Sequence, residues 1–96
     1  MVVIKPVNFN ELDECVKNLL KNLNVSEDRV SIYTWFVDPI QKIQITIYNF
    51  DGSSADGLAR VVKFVKSVEK CFSNSKASVR LLDGISKKLI VDIYIY

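Results

Sequence analysis

Histidine is absent from this chain of 96 residues, and with it the commonest general base and metal ligand of proteins. A Ser-His-Asp triad, a histidine relay and a zinc-protease site are therefore excluded. Cysteine is scarce as well: Cys15 and Cys71 stand alone, without the CxxC spacing of a metal or redox site and too few for a disulfide framework. Each falls within a predicted helix, where it reads as an inert packing residue of a reducing compartment. Three glycines and two prolines are too few for a fibrous or disordered chain. No GxGxxG, Walker, EF-hand or nucleophile-elbow pattern occurs.

Long apolar runs are missing too. None approaches the ~18 residues of a membrane span. Met1 to Pro6 lacks a basic start followed by a sustained apolar stretch, so no signal peptide is expected and the chain is read as cytoplasmic. Charge of one sign is also lacking. Thirteen basic against 11 acidic residues give a net charge of +2, which permits an anionic partner without demanding one. The richness in Lys, Ile and Val suits a thermophile or an AT-rich genome.

What is present is a 49% hydrophobic, 25% charged composition, that of a globular chain with one core, so residues 1–96 are read as a single domain. Leu12, Cys15, Val16, Leu19, Leu20 and Leu23 recur at helical spacing after Asn10, a candidate N-cap. Acidic Glu11, Asp13 and Glu14 open this helix and Lys17 and Lys21 follow, complementing its dipole. A second helical stripe, Leu58, Val61, Val62, Val65, Val68 and Phe72, follows Asp51-Gly52-Ser53-Ser54, where either serine offers a cap. Its β-branched residues make it dependent on packing rather than propensity.

Two pairs of alternating segments read as hairpins. Arg29 to Val37 and Lys42 to Phe50 flank Asp38-Pro39-Ile40-Gln41, and pairing Val37 with Lys42 sets Phe36 against Ile43, Thr34 against Ile45 and Ile32 against Ile47. Ala77 to Leu82 and Lys88 to Tyr96 flank Asp83 to Lys87, with Leu81 opposite Leu89, Val79 opposite Val91 and Ala77 opposite Ile93. The order helix, hairpin, helix, hairpin suggests a repeat, for Asp38 and Asp83 open the two turns 45 positions apart. With Val2 to Lys5 as a short first strand, the chain reads βαββαββ. That is an α+β two-layer sandwich, two helices on one face of a mostly antiparallel sheet of four or five strands, either ferredoxin-like or a tandem αββ repeat.

Period-two alternation assigns Val30, Ile32, Phe36, Ile43, Ile45, Ile47, Val79, Leu81, Leu89, Val91 and Ile93 to the face under the helices. The other face receives Tyr33, Trp35, Tyr48, Phe50, Arg80, Leu82, Ile90, Tyr94 and Tyr96, including six of the chain's ten aromatic residues. A solvent-facing sheet surface is ordinarily polar, so an apolar, aromatic one calls for a cover. The plain readings are a terminus or loop of the same chain, or a shifted register. The leading functional reading is another subunit of a homo-oligomer or larger complex, since Tyr and Trp anchor interfaces.

The alternative is single-stranded RNA or DNA stacked on Tyr33, Trp35 and Tyr48, with Arg80 and Lys88 near its backbone and Arg60, Lys63, Lys66 and Lys70 of helix two as further phosphate contacts. Against it, Lys42 to Tyr48 lacks the glycine and paired aromatics of the RNP1 pattern. The four helix-two cations also read as an ordinary solvated face. Asp92, in an apolar strand beside Arg80 and Ser78, reads as a cross-strand polar cluster. No acid, base and nucleophile converge, so the chain is read as a noncatalytic interaction module without cofactor or metal and without a membrane.

Overall fold

Two helices lie on one side of a five-stranded, wholly antiparallel sheet, the two-layer α+β arrangement that the order of apolar periodicities implies. The computed structural model describes residues 3–23, 25–37, 39–50, 55–82 and 87–96. Its elements are β1 (Val3–Pro6), α1 (Glu14–Asn22), β2 (Val30–Val37), β3 (Ile40–Tyr48), α2 (Ala55–Cys71), β4 (Ser75–Leu82) and β5 (Lys88–Ile95), with 3-10 turns at Phe9–Glu11 and Glu27–Arg29. Among the described residues no helix is long and apolar enough to cross a membrane.

The sheet order is β1-β2-β3-β5-β4. A ferredoxin-like order would set β1 parallel to a central neighbour; here β1 is an antiparallel edge beside β2, so the tandem repeat is the arrangement adopted. The units α1-β2-β3 and α2-β4-β5 meet at β3 and β5 about a local two-fold axis that passes the Gln44–Asp92 pair. The pairing obeys that symmetry. Moving β2 by 45 positions onto β4, and β3 by 48 onto β5, turns Val30↔Ile47 into Ser75↔Ile95 and Val37↔Ile40 into Leu82↔Lys88.

Packing follows the alternation. Ile32, Ile43, Ile45, Ile47, Leu89, Val91 and Ile93 meet Val16 and Leu20 of α1 and Val61, Phe64 and Val68 of α2 in one buried cluster. Fully burying each aliphatic side chain contributes roughly 1.5–3 kcal/mol, and this is what holds the β-branched α2 helical. Phe36 and Leu81, assigned to the same face, lie beyond the helices' cover and are exposed.

Four expectations need correction. Val37 pairs with Ile40, not Lys42, so a two-residue connection replaces the four-residue one and Thr34 sits opposite Ile43. Two-residue hairpin links are the commonest, and a slip of two leaves every side chain on its face. The α1 cap is Asp13, whose carboxylate accepts the Cys15 N–H at 2.9 Å, because the chain around Asn10 is spent in the 3-10 turn. Phe50 does not join the open face; it is 9% exposed and part of the core. Asn49 takes a left-handed φ of 56°, which breaks the alternation after Tyr48. Arg29 fixes this bend by donating from Nε to the Tyr48 carbonyl at 2.9 Å and from its guanidinium to the Asn49 carbonyl.

The fourth correction concerns the thiols. Cys15 and Cys71 are joined in a disulfide, with Cα atoms 5.8 Å apart across a sequence separation of 56. Because the helices run antiparallel under the local two-fold, the first turn of α1 lies beside the last turn of α2. Their reading as inert free cysteines in a reducing compartment is overturned by this bond, which staples one repeat to the other. The proposed turns at 51–54, with the Ser53 or Ser54 cap, and at 83–86 lie outside the described residues.

Candidate nucleic-acid interface on the open sheet face

Even-numbered side chains of β2 and odd-numbered ones of β3, β4 and β5 face the helices, and each strand's alternate set lies on the open face. On that open face the cross-strand pairing forms rows. Ile4, Trp35, Lys42, Tyr94 and Lys76 make one; Pro6, Tyr33, Gln44, Asp92 and Ser78 the next. Beyond these lie Thr46, Ile90 and Arg80, then Tyr48, Lys88 and Leu82; at the opposite end stand Val37, Ile40 and Tyr96.

Of the residues expected on this face, Tyr33, Trp35, Tyr48, Arg80, Leu82, Ile90, Tyr94 and Tyr96 are there, and Phe50 alone is withdrawn into the core. All four tyrosines and the single tryptophan are thus on one side. The division has a physical basis: a hydroxyl or indole N–H buried under the helices would need a partner there, whereas phenylalanine carries no such group. Tyr33 and Trp35 stand 6.2 Å apart between ring centroids, tilted by 48°. Tyr96, at the edge of the face, is 61% exposed.

The cations are set beside the rings. The Lys42 ammonium lies 5.0 Å from the Trp35 centroid and 5.4 Å from that of Tyr94, and the Lys88 ammonium lies 5.4 Å from Tyr48. At the centre Asp92 is 4% exposed, yet satisfied. Gln44 Nε2 donates to Oδ1 at 3.0 Å, Lys42 approaches the same oxygen at 3.4 Å and Arg80 holds Oδ2 at 3.2 Å. The cross-strand polar cluster read from the sequence is therefore present, with Gln44 and Lys42 as members that alternation alone did not connect to it. A shallow depression of about 280 Å³ lies between Trp35, Val37, Ile40, Lys42 and Tyr94.

Among the described residues of this face, Lys42, Lys76, Arg80 and Lys88 are balanced only by Asp92. The remaining candidate phosphate contacts are elsewhere. Arg60 and Lys63 rim the groove between α1 and α2, floored by Leu19, Leu23 and Phe64, and Lys66 and Lys70 are exposed on α2. The sheet separates them from the rings, so of the expected phosphate contacts only Arg80 and Lys88 share the aromatic surface. Sequence reasoning missed Lys42 and Lys76; both were legible as members of the same alternating set as Trp35 and Tyr94. No family model, curated protein or solved structure matches the chain.

Proposed function

We propose that the chain is a noncatalytic binding module that lays a single-stranded nucleic acid across its open sheet face. The carrying observation is the sign of the charge among the rings: within the described residues, Lys42, Lys76, Arg80 and Lys88 stand against one buried carboxylate already held by Lys42 and Arg80. Exposed rings offer sequence-tolerant stacking surfaces and the ammonium groups meet the phosphates, the combination by which single strands are held. The same charges weigh against two copies docking open face to open face, since like charges would meet across the interface.

Exposed Ile4, Val37, Ile40 and Leu82 favour the second reading, a protein partner or second copy on this face. Titrating Trp35 fluorescence with oligothymidylate and oligouridylate separates the two. Binding predicts quenching and an affinity that falls with salt with a log–log slope of about −2 to −3, from up to four phosphate contacts. Tyr33→Ser and Trp35→Ala should each weaken it about tenfold to a hundredfold, at ~1–3 kcal/mol per stacked base. Flat titrations at low salt would remove the proposal; a fall in solution mass with Trp35→Ala would assign the face to self-association instead.

A further inference from the structure

The internal two-fold makes the outer edges of β2 and β4 equivalent, yet among the described residues only one is covered by a strand. On β2, residues Tyr33 to Phe36 pair antiparallel with β1. The offset of 45 carries these onto Ser78 to Leu81 of β4, and β4 ends the sheet. β1 is a short edge of four residues closed by Pro6; β4 runs for eight residues, Ser75–Leu82, without proline or glycine. Long, regular edges of that kind are templates for a further strand.

The ladder also fixes which groups the edge offers. The Tyr96 amide donates to the Asn74 carbonyl at 2.9 Å, so even-numbered residues of β4 bond inward to β5. The N–H and C=O of Ala77, Val79 and Leu81 then point outward. The Ala77 amide meets the Glu69 carboxylate at 3.4 Å, an exposed contact that a strand would displace. Above the edge, helical spacing aligns Leu58, Val62, Val65 and Glu69 on the flank of α2 that faces β4. Leu58, Leu81 and Val62 are exposed, Val62 by 52%. The uncovered backbone therefore has an apolar stripe beside it.

We propose that a second copy of the chain pairs its β4 with this β4, antiparallel about a two-fold axis at Val79, joining two five-stranded sheets into one. The sequence is self-complementary in that register. Val79 faces the partner's Val79, Ala77 faces the partner's Leu81, Ser78 faces the partner's Arg80 and Lys76 faces the partner's Leu82. Each outward amide and carbonyl of Ala77, Val79 and Leu81 gains a mate. An axis at Ser78 would instead oppose Lys76 to the partner's Arg80, and one at Arg80 would oppose that residue to itself, both costly on a sheet surface. The paired α2 flanks bury their stripes against each other, and the two open faces become one continuous surface. This assembly is independent of what the open face binds.

Sedimentation equilibrium, with far-UV circular dichroism as the folding control, tests it. The wild-type chain is a dimer. Val79→Pro removes an outward N–H that the monomer's own ladder does not use, a position where an edge strand tolerates proline, and it weakens the dimer by about a hundredfold or more through the lost central pair of bonds. Leu58→Glu combined with Val62→Glu gives the same dissociation from the helix side, and decides the matter if Val79→Pro disturbs the fold. Trp35→Ala leaves the dimer intact. A wild-type monomer at every concentration, a dimer that survives both sets of substitutions, or dissociation by Trp35→Ala overturns the proposal.

Discussion

The two αββ repeats share a backbone and differ in what they display. The offset of 45 that superposes β2 on β4 carries Tyr33 onto Ser78 and Trp35 onto Arg80, and among the described residues the strand that covers β2 has no counterpart on β4. Their helix-facing sides, by contrast, match: Ile43 and Ile45 of β3 correspond to Val91 and Ile93 of β5, all buried. Core positions are held to volume and apolarity by the helices above them, while the open face carries no such constraint and is free to diverge. The symmetry is thus a property of the core, and the asymmetry is where binding is to be sought.

Several measurements would break or sharpen that contrast. The largest effect should come from the disulfide that cross-links the repeats. Reducing the Cys15–Cys71 bond, or replacing Cys15 with Ser, should cost about 4 kcal/mol on the chain-entropy relation for a loop of this size, read from denaturant unfolding with and without a thiol. Next, Ile45→Ala and its symmetry mate Ile93→Ala should each cost about 3 kcal/mol, since both side chains are fully buried beside the axis. Unequal costs would show that the core is less symmetric in energy than in geometry.

Smaller effects should mark the places where the repeats depart from each other. Asp92→Ala deprives Lys42, Gln44 and Arg80 of their common acceptor, but the two cations can hydrate, so a loss of about 1–2 kcal/mol is expected in thermal or chemical melts. Asn49→Ala forces an ordinary side chain into the left-handed region at the Phe50 bend and should cost about 1 kcal/mol.

The apolar alternation of Ile43, Ile45 and Ile47 with Leu89, Val91 and Ile93 was enough to read the faces, the two hairpins and the repeat. It could not distinguish Val37↔Lys42 from Val37↔Ile40, because a two-residue slide returns every side chain to the same face. The burial of Phe50 hinges on a single backbone angle at Asn49 held by Arg29, nineteen positions before Tyr48; no local pattern signals it. Asn10 and Asp13 carry the same capping chemistry, and only the 3-10 turn decides between them. The cysteine pairing required knowing that the helices run antiparallel, a fact of tertiary structure that composition and spacing hide. The open face was legible as a set of rings, and its charge lay in the same alternation, which puts Lys42 in phase with Tyr48 and Lys76 in phase with Arg80; the observed register sets both lysines in the row of Trp35 and Tyr94.

The Cys15–Cys71 bond closes most of the chain into a covalent ring that contains two of the five strands and nearly all of both helices. A protease cutting any single peptide bond inside that ring would leave one molecule rather than two fragments. Both halves would migrate together on a non-reducing gel, still tethered closely enough to find each other again, until a thiol released them.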